Sequence, residues 1–225
     1  ARALSGRSAI SSWREAVVEL ARQRSIEESL ELWGQSESEN PRFNYRWEHL
    51  QAVWQLSQRL GSRLGADLEV LEAAVWLHDI VKSHALELEP IPDAQRAADE
   101  ARQFLQGTDF PPSKIDTVAG AILVHEGLFK DQKLEQLEAA ILWDADKLSK
   151  LGATYLVHSL CAHPAFDPIF QGTPTTTRMV IDSLEQWLQI GQRIVDSMNT
   201  EPGRIEGVRR LDYLRQFVTE LKIEW

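Results

Sequence analysis

The stretch AAVWLHDIVK, residues 73–82, places two adjacent ligand-type side chains, His78 and Asp79, at the end of an apolar run. The run predicts a buried helix, which we extend over 68–83. An ionised carboxylate beside imidazoles on an apolar surface is costly unless a cation compensates its charge. Imidazole nitrogens and carboxylate oxygens are also the ligands of divalent first-row metals. The stretch therefore predicts a helix that carries the centre of a metal site.

Two further segments offer ligands of the same kind. His49 lies in RFNYRWEHLQAVWQL (residues 42–56), and the triplet DAD spans Asp144 to Asp146. Carboxylates two residues apart on a helix point in different directions. One of the two is thus a candidate ligand, and the other a supporting or capping group. The alternatives are a hydrogen-bonded histidine at the edge of the core and a solvated polar face before Lys147 and Lys150.

Two more side chains are candidates for contact with a substrate. His125 ends the apolar run GAILVHEGL, and it is a second metal ligand, a phosphate contact or a partner of the helix dipole. Lys82 lies four residues after His78 and shares its helix face, where it either reaches a phosphate oxygen or offsets the dipole. The metalloprotease motif HExxH is excluded, because Phe129 occupies the place of its second histidine.

Apolar residues recur at helical spacing along nearly the whole chain, and no hairpin signal interrupts them. The prediction is an all-α fold, with residues 1–44 as an N-terminal helix and loop packed on a main domain at 45–225. The predicted helices cover 12–33, 45–64, 68–83, 93–106, a segment starting at Pro111–Pro112, 133–150, 178–198 and about 203–223. The segment 163–177 contains three prolines and predicts a long irregular connection.

Composition limits the classes of function. The 225 residues are 43% hydrophobic and 26% charged, as in folded globular proteins. A net charge of -10 without a basic block argues against a nucleic-acid or anionic-membrane surface. A bound cation would still allow an anionic substrate. Cys161 is the single cysteine, and no stretch has the length of a membrane span or the pattern of a signal peptide. We expect a soluble cytoplasmic protein.

The order of the candidate ligands carries a resemblance. His49, then His78–Asp79, then Asp146 resembles the H…HD…D signature of the HD-domain superfamily of metal-dependent phosphohydrolases. Two segments resemble the helices that carry HD and the last ligand in that family, namely LEAAVWLHDIVK and AAILWDADKLSKLGA. The tail NTEPGRIEGVRRLDYLRQFVTELKIEW is similar to that of its small stand-alone bacterial branch. The resemblance covers residues 45–225 and implies the helical bundle of the HD domain.

The resemblance implies hydrolysis of a phosphate ester or anhydride, with a nucleotide as the first choice of substrate. It implies the metal ligands His49, His78, Asp79 and Asp146, with Asp144 as an alternative or a supporting group. The catalytic side chains would be Asp79, Lys82 and His125. Two imidazoles and two carboxylates suit manganese, iron, cobalt, nickel or zinc, and magnesium is also compatible.

One segment departs from the family pattern. Members of this branch often carry one or two histidines after HD, whereas PIPDAQRAADEARQFL (residues 90–105) contains none. The departure favours a single metal over a two-metal centre. Two alternatives stay open, namely a metal- or nucleotide-binding regulatory module with little turnover and a di-iron oxygenase of the HD type. The oligomeric state is also open.

Overall fold

The computed structural model describes residues 12–35, 37–81, 91–170 and 176–225, with backbone alone over 166–170. Within these ranges the regular structure is helical, and no strand is present. The all-α prediction is thereby confirmed. The helices are α1 (Trp13–Leu32), α2 (Tyr45–Leu64), α3 (Leu68–Leu77), α4 (Asp93–Gln106), α5 (Ile115–Leu123), α6 (Leu137–Leu148), α7 (Gly152–Phe170), α8 (Thr177–Asp196) and α9 (Glu201–Glu224), with a 3-10 turn at Pro112–Lys114 before α5.

Helix α2 shows how local sequence sets its boundaries. The side chain of Asn44 accepts a hydrogen bond from the Trp47 amide at 3.0 Å, which caps the first turn. Gly65 follows the last turn with a φ of 72°, a left-handed conformation that favours glycine. Both signals are readable in the sequence, so the predicted bounds 45–64 are confirmed, as are those of α4.

Three predicted boundaries are wrong. Helix α6 begins at Leu137, not at 133. Helix α3 ends at Leu77, not at 83, so His78 and Asp79 lie in the turn that follows it. The connection predicted as irregular over 163–177 is helical up to Phe170, because α7 continues through Pro164. Ala162 and Ala165 are buried there, and the packing of α7 against α9 and α2 outweighs the local preference of the prolines. Residues 171–175 lie outside the described ranges.

Helix α1 packs on α2 and α3 and shares their core. Val17 and Ala21 are buried, and the ring of Trp13 meets that of Phe110 edge to face with centroids 4.8 Å apart. Such an aromatic pair contributes about 0.5–1.5 kcal/mol beyond its buried area. The first described helix is therefore held by apolar contacts, and one of its polar residues, Glu28, faces the site described below.

The core fixes the elements that surround the histidines. Leu77 precedes His78, Ile122 lies one turn before His125, and Leu142 and Trp143 precede the aspartates of α6; all four apolar side chains are fully buried. Burying a large apolar side chain contributes about 1.5–3 kcal/mol, so these anchors hold the neighbouring polar groups firmly. None of the described helices combines the length and the apolarity that crossing a membrane requires.

Candidate metal centre

Three buried imidazoles converge where α2, the end of α3 and the end of α5 meet. The His78 and His125 rings each place Nδ1 against a backbone carbonyl, that of Val75 at 2.7 Å and that of Ile122 at 2.6 Å. Since a carbonyl only accepts hydrogen bonds, both rings carry a proton on Nδ1. In the neutral tautomer, Nε2 of each ring then offers its lone pair to the site.

The orientation of His49 is fixed by a serine. Ser149 Oγ donates to the Asp146 carbonyl at 2.6 Å, so it can only accept from His49 Nδ1, which lies 3.1 Å away. The proton of this ring is therefore also on Nδ1. Hydrogen bonding at the outer nitrogen is the usual support for a histidine that binds a metal through the other nitrogen.

The inward-facing atoms form a compact cluster. Ligand atoms of His49, His78 and Asp79 all lie within 4.8 Å of one another. Asp79 Oδ2 is 3.6 Å from Nε2 of each of these two rings, and Asp146 Oδ1 is 3.5 Å from His49 Nε2. Within the described part of the chain, neither of the two Nε2 atoms has a hydrogen-bond partner, although both are buried. Unpaired nitrogen lone pairs beside two carboxylates fit a divalent cation.

His78 and Asp79 face one site although they are neighbours in the chain. Adjacent side chains on a helix diverge by about 100°. His78 follows α3 with φ -64° and ψ -32°, which is still a right-handed helical conformation, and the Ile80 amide bonds to the Leu77 carbonyl at 3.5 Å. The site therefore lies in the wedge between the two side chains, where His78 Nε2 and Asp79 Oδ2 are 3.6 Å apart.

Three buried or half-buried cations contact the two carboxylates. Arg46 donates to Asp79 Oδ2, and Lys147 donates to Asp146 Oδ2. Lys150 lies one turn after Asp146 and donates to its Oδ1 at 2.6 Å. These contacts compensate two carboxylates that are otherwise buried among imidazoles.

The protonation of the cluster follows from burial and these charges. Burial lowers the pKa of His78 to about 4 and the pKa of His49 well below its usual value. Burial alone would raise the pKa of Asp146, but Lys147 and Lys150 reverse that effect and hold it well below its usual value. At neutral pH the site consequently presents neutral imidazoles at His49 and His78 and an ionised Asp146, the forms that bind a metal.

Asp144 does not face this cluster. Its carboxylate accepts hydrogen bonds from the amides of Asn199 and Thr200 at 2.7 and 2.8 Å, and from their side chains at 3.1 and 2.7 Å. Thr200 also caps α9 by accepting from the Gly203 amide. Asp144 therefore secures the start of α9, and Asp146 is the aspartate of α6 that lies next to the imidazoles.

The two remaining candidates are His125 and Lys82, and a further buried histidine, His158, lies apart from the cluster. His125 Nε2 is 3.4 Å from Asp79 Oδ1, whereas Arg46 donates to Oδ2, so this histidine joins the cluster at the other oxygen of the carboxylate. Lys82 lies outside the described residues. His158 sits against Tyr45 rather than among the imidazoles, with ring centroids 5.9 Å apart.

Sequence reasoning missed five residues that support the centre. Three are the cations Arg46, Lys147 and Lys150. The other two are Glu28, which pairs with Arg46, and Ser149, which orients His49. The spacing of Asp146 and Lys150, four apart on a helix, was a usable signal. No local signal marked Arg46, because its partners lie 18 and 33 residues away along the chain.

Part of the chain matches the model of a known domain family. The HD domain matches residues 46–151, a range that contains all four candidate ligands. The curated protein YpgQ of Bacillus subtilis (strain 168), described as uncharacterized, is 22% identical over 200 residues, which cover 87% of this chain and 91% of that protein.

Solved structures share the fold along nearly the full chain. A predicted HD superfamily hydrolase from an uncultured Thermotogales bacterium is 20% identical with a TM-score of 0.59, covering 94% of this chain and 92% of its own. An HD-superfamily hydrolase from Bacillus thuringiensis is 20% identical with a TM-score of 0.60, covering 94% and 97%. B. subtilis YpgQ in complex with ADP is 19% identical with a TM-score of 0.56, covering 91% and 97%.

Proposed function

This chain belongs to the HD-domain superfamily, and we propose that it is a metal-dependent phosphohydrolase that acts on a nucleotide. The observation that carries the proposal is that two buried Nε2 atoms, which have no hydrogen-bond partner among the described residues, and an oxygen of Asp79 lie within 4.8 Å of one another. Lone pairs in a buried, acid-lined site are the usual setting of a divalent ion. We assign the ligands as His49, His78, Asp79 and Asp146.

A divalent ion held there would lower the pKa of a bound water and neutralise charge on a phosphate oxygen. The chain's own residues would perform the remaining tasks. Ser149 and the Val75 carbonyl fix the ring orientations of His49 and His78, so the two lone pairs are already aligned. Lys147 holds Asp146 in place through its Oδ2.

Proton transfer is assigned to His125 and Asp79. His125 is held at Nδ1 by the Ile122 carbonyl, which leaves Nε2 to accept or return a proton at the reaction site. Asp79 Oδ1 lies 3.4 Å from that Nε2, so the two groups are close enough to pass a proton once a substrate orders them. Lys82 keeps its predicted role as a phosphate contact on the basis of sequence spacing.

The choice of a nucleotide rests on a relative. The B. subtilis YpgQ structure contains ADP, and YpgQ shares the fold of this chain over most of its length. We extend that ligand class to this chain. The first substrates to test are therefore nucleoside mono-, di- and triphosphates.

The test is phosphate release from a panel of nucleotides with added Mn²⁺, comparing the wild type with His78→Ala and Asp79→Ala. Matched controls are His163→Ala on α7 and Asp212→Ala, an exposed residue of α9 that pairs with Arg215. We expect the two site variants to lose at least about 100-fold in kcat/KM and the controls to keep it.

Equal activity in the wild type and the site variants would refute the hydrolase proposal. Nucleotide binding without turnover in the folded wild type would refute it as well, and would favour the regulatory module. A metal content well above one iron per chain, together with oxygen consumption, would favour the oxygenase.

A further inference from the structure

The guanidinium of Arg46 and the two imidazoles meet at one carboxylate oxygen. Asp79 Oδ2 accepts from Arg46 Nη1 and is also the oxygen that lies 3.6 Å from Nε2 of both His49 and His78. A divalent ion bound among these three ligand atoms would therefore bind the same oxygen as Arg46. Two cations on one oxygen repel each other strongly at such short range.

The second carboxylate repeats this arrangement with a lysine. Asp146 Oδ1 accepts from Lys150 at 2.6 Å and lies 3.5 Å from His49 Nε2. Lys147 differs, because it donates to Oδ2 of Asp146 and, at 3.1 Å, to the His125 carbonyl. The inner oxygens thus belong to Arg46 and Lys150, whereas Lys147 supports the outer oxygen and does not compete.

Arg46 is held so that one nitrogen can change partner while the others stay. Its Nε and Nη2 donate to the two carboxylate oxygens of Glu28 on α1, both at 2.8 Å, and only Nη1 reaches Asp79. A planar guanidinium with two fixed donors keeps the third pointing into the site. Glu28 is therefore a positioning residue, and it comes from outside the segment that matches the HD domain.

Lys150 has a comparable freedom. Its backbone is fixed, since the Trp187 indole donates to its carbonyl at 3.1 Å, while its side chain is a quarter exposed. Among the residues that the structure describes, the ammonium has a single carboxylate partner, Asp146. Its flexible stem allows the charge to move toward solvent without disturbing α6.

We propose that Arg46 and Lys150 are exchangeable cations, which leave the inner oxygens of Asp79 and Asp146 when a divalent ion binds and then bind the phosphate oxygens of the substrate. This inference rests on the proposed function, because it takes the substrate to be a phosphate anion. Metal and phosphate then promote each other's binding, partly through these two side chains. The coupling would keep the site from binding a phosphate compound firmly before the ion is in place.

The test uses Mn²⁺ and inorganic phosphate as probes on the full chain. Arg46→Gln and Lys150→Met remove a competing cation, so each should bind Mn²⁺ alone about fivefold more tightly than the wild type. With Mn²⁺ saturating, both variants should bind inorganic phosphate about fivefold or more weakly. Free Mn²⁺ is measured by electron paramagnetic resonance and phosphate binding by calorimetry, with Arg102→Gln and Lys114→Met as controls that should match the wild type.

Tighter Mn²⁺ binding together with weaker phosphate binding would indicate exchange. A merely structural role of Arg46 or Lys150 would weaken the binding of both probes. Unchanged or weaker Mn²⁺ binding in the folded variants, or unchanged phosphate binding, would overturn the inference. If Arg46→Gln does not fold, Lys150→Met decides alone, because its side chain is partly exposed. If the variants show tighter Mn²⁺ binding and weaker phosphate binding but no nucleotide is hydrolysed, only the proposed function is refuted. If nucleotides are hydrolysed but the two affinities do not shift in this way, only this inference is refuted.

Discussion

Asp144 and Asp146 lie two residues apart on α6, and both are buried, yet their surroundings differ in kind. Asp144 accepts four hydrogen bonds from Asn199 and Thr200, two of them from backbone amides. The charge of Asp146 is compensated by the ammonium groups of Lys147 and Lys150, and its carboxylate faces the imidazole of His49. The first carboxylate fastens one helix to another, and the second lies in a cluster of titratable groups.

The difference shows in their proton affinities. Burial raises the pKa of Asp144, because its neutral donors compensate only part of the lost hydration. The neighbouring lysines hold the pKa of Asp146 well below its usual value, despite burial. A carboxylate held by neutral donors from the chain is suited to structure. One that is compensated by charged side chains and faces an imidazole is suited to a cation site.

Exchanging the two carboxylates for amides should separate structure from binding most sharply. Asp146→Asn should weaken Mn²⁺ binding by more than about 100-fold, because a ligand charge is lost. Asp144→Asn should lower the free energy of unfolding by about 2–4 kcal/mol, because an amide cannot accept from all four donors. Metal titration and urea unfolding measure the two effects. A loss of metal binding in Asp144→Asn equal to that in Asp146→Asn would contradict the division of roles.

The buried imidazole of His78 in the candidate metal centre predicts that stability depends on pH. His78 has a pKa of about 4 in the fold and an ordinary value of 6.5, so between these values only the unfolded chain takes up the proton. The free energy of unfolding should therefore be highest above pH 6.5 and fall by up to about 3 kcal/mol as the pH drops toward 4. Urea titrations across this range should give a flatter curve for His78→Asn. An identical slope in the variant would show that another group dominates.

The contact between Asp144 and the start of α9 predicts a purely steric effect of a substitution at Gly203. A Cβ at Gly203 would collide with Asp144 Oδ2 and approach Thr200 Oγ1 to 2.9 Å. Gly203→Ala should therefore destabilise the protein by about 2 kcal/mol while leaving Mn²⁺ affinity unchanged. Thermal unfolding and metal titration of the same sample check both parts. Gly207→Ala serves as a milder control, since its nearest atom would lie at 3.2 Å.

The smallest expected effect concerns the support of a single ring. Ser149→Ala removes the hydrogen bond that orients His49, which should weaken Mn²⁺ binding about tenfold. Ser57→Ala is the matched control, because Ser57 is fully buried on α2 and its hydroxyl has no partner within the described residues. Equal metal affinity in both variants would mean that the orientation of His49 is fixed by packing alone.

The sequence carried most of the fold because the relevant signals are local. Asn44 and Gly65 define α2 at both ends, and the amphipathic spacing of α4 sets its bounds. The errors arose where packing opposes local preference. Pro164 predicts a break, but α7 packs on α9 and remains helical.

The candidate site was predictable only in part. The order of His49, His78–Asp79 and Asp146 is visible in the sequence and carried the family resemblance. Helical spacing alone leaves Asp144 as an alternative ligand, because its partners at 199 and 200 are more than fifty residues away along the chain. Arg46 and Glu28 were missed for the same reason, since an ion pair between two helices leaves no periodic trace.

The central claim is that His49, His78, Asp79 and Asp146 form a metal centre. The most direct measurement is elemental analysis of the purified full chain beside His78→Ala, with folding of both checked by circular dichroism. We predict about one divalent ion per chain in the wild type and a clear loss in the variant. A folded wild type without stoichiometric metal after incubation with Mn²⁺, or equal metal in both proteins, would contradict the claim.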